Sequence, residues 1–341
     1  MKKVVLFIFV FCLFISNVKA TKLVSLGDSI PNGYLLSDEE DSYDNLLADT
    51  LDLDFYEHSY IGMRSDDLLR DLEIEEVKNN IKDADIITIN IGSNDLLDLL
   101  DYLDLSDYDF EIEYGENPSF DRDMINSMIS YIEDYFKNEL EVGAIGALED
   151  YKIIFPRIIA KIKEYNPEAK IYVNSLYNPF ANVSVPLLGI DLSFIETIAD
   201  NAITSFNDVI YSYDDYTIID VYHTLDENKY LNVNPLQGQL DPHPNITGHK
   251  KIYELYLKEL AYKVVYEDET YYVLKGGKLD IEPEKKEGYT FKKWNYDLNH
   301  IDKDIELKAI YKKNINYYLI GTIVMIILLI IFFIIKRSRK K

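Results

Sequence analysis

Cysteine is almost absent from this chain: its one copy among 341 residues is Cys12, inside an apolar N-terminal stretch. Without that stretch the chain has no thiol, which excludes disulfides, thiolate metal sites and a cysteine nucleophile. Basic residues are also in deficit, with 35 Lys plus Arg against 60 Asp plus Glu and a formal charge of -25. Because phosphate backbones are bound by clustered Lys and Arg, this balance argues against nucleic acid as a partner.

Apolar residues, by contrast, make up 48% of the chain, as in ordinary globular proteins. The length allows one large domain with a small companion. Residues 1–20 combine Lys2 and Lys3 with an apolar run, Val4 to Ile15, and a small residue, Ala20. This pattern predicts a secretory signal peptide that is removed after Ala20, with an uncleaved anchor as the alternative.

The C-terminal end contains a second long apolar run. Residues 317–335 include no charged side chain, and as a helix they would extend about 28 Å, close to the ~30 Å hydrocarbon core of a bilayer. Tyr317 and Tyr318 stand at one end, and the basic residues 336–341 follow the other. By the positive-inside rule, we expect a single-pass protein of the cell membrane with a cytoplasmic 336–341 tail and an extracellular body.

Between the two ends, residues 21–261 alternate short apolar runs with amphipathic stretches, which predicts an α/β fold with a parallel sheet covered on both faces. Ligands bind such sheets beyond the carboxyl ends of the strands. The predicted strands are Lys22–Leu26, Leu53–Glu57, Ala84–Ile91, Lys170–Asn174 and Tyr216–Val221. The predicted helices are Ser42–Leu51, Ser65–Asn79, Ile153–Tyr165, Leu192–Tyr211 and Ile246–Ala261.

An acidic insertion interrupts this pattern at residues 97–123. From Asp98 to Asp123 it contains ten acids and one base, Arg122. We expect a solvated loop or a lid here. A calcium loop is the alternative, although the spacing of the acids does not match an EF-hand and no glycine stands at the turn.

Ser29 and His243 are the residues best suited to nucleophilic chemistry. Ser29 follows the first strand, where a turn can expose its hydroxyl and leave backbone N–H groups free to bind an anion. A neutral His243 could take the serine proton, and Asp241 could accept from its other ring nitrogen. Asp220 and His223 form a competing pair at a strand end. The other histidines are expected to be structural, helix-face or surface residues: His58, His249 and His300.

Four blocks carry a family resemblance, and they occur in the order Gly27-Asp28-Ser29, Gly62, Gly92-Ser93-Asn94-Asp95 and Asp241-Pro242-His243-Pro244-Asn245. Together they resemble the SGNH hydrolase superfamily, also called GDSL-type lipases and esterases. The resemblance implies a three-layer α/β/α, flavodoxin-like sandwich with about five parallel strands.

The same resemblance implies Ser29 as nucleophile and His243 as base, oriented by Asp241. It implies an oxyanion hole made by the N–H groups of Ser29 and Gly62 and the side-chain amide of Asn94, with no metal or organic cofactor. The chain departs from the family pattern in three places, one of which is the long acidic insertion after Asp95. His58 and Tyr60 stand where Asn and Ala are usual, and Leu240 stands where the triad Asp is common.

Residues 262–314 resemble a second family, the Listeria–Bacteroides repeat of bacterial surface proteins. The resemblance is carried by Gly276-Gly277, by Gly288-Tyr289-Thr290-Phe291 with Trp294, and by the closing Leu307–Tyr311. It implies a small β-rich, β-grasp-like domain. We expect a spacer, with binding of a glycan, cell-wall or protein ligand as the alternative.

Together these features predict a secreted, membrane-anchored serine esterase that cleaves carboxylic esters of lipids or O-acetylated glycans. The acidic composition and the lack of an obvious apolar lip slightly favour small, water-accessible acyl esters. A non-catalytic surface-binding protein on the same scaffold and an acyltransferase acting on envelope polymers are the alternatives.

Overall fold

The structure is a computed structural model, and it describes residues 20–99, 122–181, 193–234, 239–314 and 317–338. The predicted signal peptide up to residue 19, most of the acidic insertion and residues 339–341 of the tail lie outside the described residues. The chain divides into two compact units, with the division between Glu259 and Leu260. Each unit is described by itself.

The larger unit is built on five parallel strands in the order β2-β1-β3-β4-β5. This order reverses direction between β1 and β3, as in flavodoxin-like sheets. The predicted α/β class and flavodoxin-like order are therefore confirmed. The strands are β1 (Lys22–Gly27), β2 (Asp54–Ser59), β3 (Ile86–Asn90), β4 (Lys170–Asn174) and β5 (Thr217–Ile219). The helices are α1 (Tyr43–Leu51), α2 (Ser65–Asp71), α3 (Glu75–Lys82), α4 (Ser93–Leu97), α5 (Arg122–Tyr135), α6 (Glu141–Tyr165), α7 (Ser193–Tyr211) and α8 (Ile246–Leu260).

The two faces of the sheet differ in chemistry because side chains alternate along each strand. On one face, alternate residues such as Val24, Ile87 and Val173 join a continuous apolar core with α2, α3, α6 and α7. On the other face, α1 and α8 contribute Tyr43 and Tyr256, whose rings stack with centroids 5.5 Å apart. Helices on both faces complete the three layers.

The second face also holds a buried carboxyl, Asp44, in the first turn of α1. Its oxygens accept hydrogen bonds from Ser25 Oγ of β1 at 2.5 Å and from Thr88 Oγ1 of β3 at 3.2 Å. Burial raises the pKa of Asp44 to about 7, although these two hydrogen bonds act in the opposite direction. The folded chain therefore keeps this proton up to about pH 7, whereas an unfolded Asp loses it near pH ~3.9.

We predict that Asp44→Asn stabilises the chain at neutral pH. Ionisation of Asp44 favours the unfolded state as the pH rises from ~4 to ~7, and about 1.4 kcal/mol per unit of pKa difference gives a gain of roughly 1–4 kcal/mol for the uncharged amide. Calorimetric unfolding midpoints at about pH 5 and about pH 8 would measure it. Asp49→Asn, on the exposed face of the same helix, is the control. Equal midpoints for parent and Asp44→Asn at both pH values would contradict the prediction.

Several elements differ from the expectation, among them helices α4 and α5, which were not predicted. The helix expected over Ser65–Asn79 is broken into α2 and α3, with Ile74 N donating to Asp71 O at the break. Helix α6 begins twelve residues before the expected Ile153, because its first turns are rich in Gly and Ala and expose Val142 and Ile145, which hides the amphipathic pattern. An unexpected hairpin joins β6 (Leu231–Asn234) to β7 (Gln239–Pro244).

The smaller unit contains five strands in two sheets. Strands β11-β8-β9 form one sheet, with β8 parallel to β11 and antiparallel to β9, and β10 pairs with β12 in the other. Trp294 packs edge-on against Tyr266 with centroids 5.0 Å apart. The strands are β8 (Ala261–Tyr266), β9 (Glu269–Leu274), β10 (Tyr289–Trp294), β11 (Ile305–Leu307) and β12 (Ala309–Lys313). The unit is β-rich, and its membership of the repeat family stays a prediction.

A single apolar helix, α9 (Tyr317–Ser338), follows the strands of the smaller unit. By length and composition alone, its segment Ile320–Ser338 could cross a membrane. Its large apolar side chains are exposed along its length. The helix is therefore a candidate membrane anchor.

Candidate active site

The turn after β1 presents Ser29 at the point where the strand order reverses. Gly27 makes this turn possible, because a Cβ there would lie 2.1 Å from the carbonyl oxygen of Asn90. Asp28 N then donates to that same oxygen at 3.1 Å. The close approach of the ends of β1 and β3 places Ser29 beyond the carboxyl edge of the sheet, where ligands bind in this class of fold.

Ser29, His243 and Asp241 form a continuous hydrogen-bonded chain. Ser29 Oγ lies 2.8 Å from His243 Nε2, and His243 Nδ1 lies 2.6 Å from Asp241 Oδ1. A carboxylate has no hydrogen to donate, so the hydrogen bond to Asp241 requires a proton on His243 Nδ1. His243 Nε2 is then unprotonated and accepts the hydrogen bond from the Ser29 hydroxyl. Asp241 stands two residues before His243, and its Oδ1 also accepts from the His243 backbone N–H at 2.9 Å. The sequence predicted this set, and the structure brings it together.

Two tyrosines that the sequence analysis did not single out support the histidine. Tyr34 packs edge-on against the His243 ring, with centroids 4.8 Å apart. Tyr177 donates its hydroxyl hydrogen to the carbonyl of Pro242 at 2.6 Å, which ties β7 to the segment after β4. Neither tyrosine could be found from motif spacing, since each acts through contacts between distant segments.

The competing pair, Asp220 and His223, contact each other instead of Ser29. His223 Nδ1 lies 2.9 Å from both carboxylate oxygens of Asp220, and both side chains are exposed. The Ser29 hydroxyl is bonded by His243, so the geometry favours His243 as the base.

The remaining histidines are not bonded to Ser29 in the described part of the chain. His249 is fully buried on α8, where its Nδ1 accepts from Tyr43 N at 3.3 Å. Burial, with a smaller contribution from nearby His243, lowers the pKa of His249 to about 4. His58 is buried beside Asn80, and burial lowers its pKa as well. Both are neutral packing residues at pH 7.

The three proposed oxyanion donors lie on three different segments. Gly62 adopts φ +78°, the left-handed region that favours glycine. Within the described ranges, no acceptor takes the backbone N–H of Ser29 or of Gly62. Asn94 lines the same cleft as Ser29, and its Nδ2 donates one hydrogen bond to the Met63 carbonyl at 2.9 Å. The second amide hydrogen of Asn94 is thus available to a ligand.

Helix α4 also holds the loop that carries Gly62. Asp95, next to Asn94, accepts from Ser65 N at 3.0 Å and from Ser65 Oγ at 2.6 Å. Asn94 also donates to the carbonyl of Met63. Two consecutive residues of α4 therefore hold Met63 and Ser65, the residues directly before and after Arg64. The loop is held by its neighbours before any substrate arrives, which is the preorganisation that charge stabilisation requires.

A buried polar network lies behind Ser29. Asp28 Oδ1 accepts from Ile30 N at 3.0 Å and from Asn90 Nδ2 at 2.9 Å, and Asn174 Nδ2 donates to Asn90 Oδ1 at 2.9 Å. Burial raises the pKa of Asp28 to about 7. Asn90 and Asn174 are the last residues of β3 and β4, and polar residues that end apolar strands were the sequence signal that could have found them.

An apolar cleft opens beside Ser29 and His243. It holds about 760 Å³ of space, counted with its open mouth. No sequence pattern predicts this apolar surface, since its side chains come from separate segments: Leu97, Leu99, Leu176, Phe180 and Ile203. Within the described residues no group of three His, Cys, Asp or Glu is placed to hold a metal ion.

Comparison with known proteins finds relatives of the larger unit. A curated relative, the uncharacterized protein YpmR of Bacillus subtilis (strain 168), is 28% identical over 167 residues, covering 46% of this chain and about half, 52%, of its own length.

Solved structures with a similar arrangement include three lipolytic enzymes. The lipase Lip_vut3 from a goat rumen metagenome has 19% identity and a TM-score of 0.49, covering 70% of this chain and 96% of its own. The extracellular lipase of Streptomyces rimosus has 21% identity and a TM-score of 0.46, covering 70% and 99%. The phospholipase A1 of Streptomyces albidoflavus NA297 has 17% identity and a TM-score of 0.47, also covering 70% and 99%.

The model of the GDSL-like lipase/acylhydrolase family matches residues 25–251, a range that runs from β1 into α8 and includes Ser29, Gly62, Asn94, Asp241 and His243. Since this match spans more than half of the chain, the protein belongs to the GDSL-like lipase/acylhydrolase family.

Proposed function

We propose that this chain is a serine esterase that hydrolyses carboxylic esters through an acyl-enzyme on Ser29. The observation that carries the proposal is the hydrogen-bonded chain from Ser29 Oγ through His243 to Asp241, at the mouth of an apolar cleft. Family membership supports ester hydrolysis as the reaction class.

In the first half of the reaction, Ser29 Oγ attacks the ester carbonyl carbon while His243 Nε2 takes the hydroxyl proton. The negative charge moves to the carbonyl oxygen, and Asp241 stabilises the imidazolium that forms. When the tetrahedral intermediate collapses, the bond to the alcohol oxygen breaks and His243 returns the proton to that oxygen. The alcohol leaves, and the acyl group stays on Ser29 as an ester.

In the second half, water takes the place of the alcohol. His243 accepts a proton from water as its oxygen attacks the acyl carbonyl, and the second collapse returns the proton to Ser29 Oγ. The products are a carboxylic acid and the free enzyme. The backbone N–H groups of Ser29 and Gly62 and the amide of Asn94 stabilise the oxyanion in both halves without adding a charge to the site.

The apolar cleft supports an acyl group with an apolar chain as the substrate class. Burial of an acyl chain against Leu97, Phe180 and Ile203 would contribute about 0.8 kcal/mol per methylene. A lipid ester provides such a chain, whereas an acetyl ester has only one methyl group to bury there. The acyl-chain preference of the enzyme is therefore expected to favour lipids over O-acetylated glycans.

The proposed location is the outer side of the cell membrane. Residues 1–20 have the pattern of a signal peptide, and α9 with its basic 336–341 tail has the pattern of a stop-transfer anchor. Residues 262–314 would then separate the esterase from the membrane and could bind a cell-wall or surface ligand.

The full chain in membranes or mild detergent, incubated with p-nitrophenyl esters from acetate to palmitate, tests the activity. We expect Asn94→Ala to lower kcat by about 10²–10³ with little change in KM, because the amide is used most in the transition state. Asn79→Ala, on an exposed face of α3, is the control for expression and folding. Failure of the parent to release p-nitrophenol from any ester would overturn the proposed function, and an unchanged kcat in Asn94→Ala would remove Asn94 from the oxyanion hole.

A further inference from the structure

A second apolar groove lies next to the cleft, between α6 and α7. It holds about 560 Å³ of space, again counted with its opening. Its apolar wall is formed by Ile145, Leu148 and Ile198, and Glu141, Asn201 and Ser205 also line it. Ile145 is 59% exposed. The groove is therefore an apolar surface without a partner in the described part of this chain.

Two alanines connect this groove with the cleft. Ala144 of α6 and Ala202 of α7 belong to the walls of both cavities. The side chain at each position is a single methyl group, so the two cavities are separated by the smallest side chains that a helix accepts without a glycine. A leucine at either position would add bulk where the cavities adjoin.

Resting on the proposed function, we propose that the groove between α6 and α7 receives the distal part of long acyl chains, which pass from Ser29 along the cleft and between Ala144 and Ala202. The shared wall identifies the occupant, because an acyl chain held at Ser29 that extends along the cleft reaches Ala144 and Ala202, the residues that also line the groove. The pair Ala144 and Ala202 then sets the acyl-chain length. Short chains end inside the cleft, and long chains continue into the groove.

Chain-length profiles of variants test this route. The full chain is assayed with butyrate, octanoate and palmitate esters of p-nitrophenol in one fixed mixed-micelle composition. In Ala144→Leu and Ala202→Leu we expect kcat/KM for palmitate to fall more than tenfold relative to butyrate, since each methylene returned to water loses about fourfold. A far-UV circular dichroism spectrum and an unfolding midpoint that match those of the parent show that each variant is folded.

Ile145→Asp tests the route independently of the two alanine variants. Its side chain lines the groove and not the cleft, and its exposure makes the substitution tolerable for folding. We expect loss of palmitate hydrolysis with octanoate unchanged, because a charge there meets only the distal end of a long chain. Gly146→Leu is the matched control: a Cβ at Gly146 meets no atom within 4 Å, and the residue lines neither cavity.

The outcomes separate the two proposals. Palmitate and butyrate hydrolysis that respond equally to Ala144→Leu, or palmitate hydrolysis that is indifferent to Ile145→Asp, would overturn the route through the groove and leave the esterase intact. A parent protein inactive on all three esters would instead overturn the proposed function. A loss of palmitate hydrolysis alone in both Ala144→Leu and Ile145→Asp, but not in Gly146→Leu, would establish the route.

Discussion

Replacing Ser29 with alanine is expected to lower kcat for ester hydrolysis by about 10⁴–10⁶, the largest effect of any single substitution in this chain. Without Oγ no acyl-enzyme can form, and His243 has no hydroxyl proton to take. Any residual rate would come from binding and from the oxyanion donors alone. Initial rates with p-nitrophenyl butyrate, on enzyme matched for quantity by immunoblot, measure the loss.

Ser93→Ala is the matched control for this variant, since Ser93 lines the same cleft next to Asn94. We expect it to retain activity within about threefold, the range of a lost polar contact that is not used in the chemistry. A fluorophosphonate probe adds a second readout: it should label the parent and Ser93→Ala, and leave Ser29→Ala unlabelled. Full activity or labelling in Ser29→Ala would dismiss Ser29 as the nucleophile.

Replacing His243 with alanine is expected to have an effect of similar size, about 10⁴ or more in kcat. A serine hydroxyl is a weak nucleophile at neutral pH, and Nε2 of His243 is the base within hydrogen-bond distance, at 2.8 Å. Because the two groups act as a unit, the double variant Ser29→Ala/His243→Ala should be no slower than either single variant.

The pair Asp220 and His223 provides an internal comparison for the second prediction. These two residues are of the same types and lie at hydrogen-bond distance. However, both are exposed, and they contact each other rather than Ser29. His223→Ala should therefore keep its rate within about threefold, as surface substitutions usually do. A large loss in His223→Ala with a small loss in His243→Ala would reverse the assignment of the base.

Much of the larger unit was predictable because its central strands, β1, β3 and β4, are buried on both faces. The run Ala84–Ile91 is β-branched and continuous, and it forms β3 at the centre of the sheet. Once such strands alternate with helices, the chain has few ways to connect them, and the carboxyl edge of the sheet becomes the expected place for Ser29. The family blocks then pointed to the residues that meet there.

The hairpin that carries the histidine was missed for a physical reason. Strand β7 contains Pro242 and Pro244, and a proline cannot donate a ladder hydrogen bond, which argues against a strand in any sequence-based reading. The pairing is possible because β6 and β7 form a two-stranded ribbon apart from the main sheet. The position of Asp241, one residue closer to the histidine than the family pattern suggests, places its carboxylate on both N–H groups of His243.

The cleft and the network behind it could not be predicted because they depend on register and on long-range packing. Asn90 and Asn174 meet only because β3 and β4 are parallel neighbours. Leu97, Phe180 and Ile203 come from three segments, and nothing in their local sequence distinguishes a cleft wall from a core. The expectation of small acyl esters was drawn from the acidic composition without knowledge of this wall, and it stays a prediction.

The bond between Ser29 and His243 joins positions 214 residues apart. A ribosome therefore makes nearly the whole larger unit before the two residues can meet, and the nascent chain has no competent nucleophile until that point. Under the proposed function, truncated or unfinished copies would therefore lack the assembled pair of nucleophile and base.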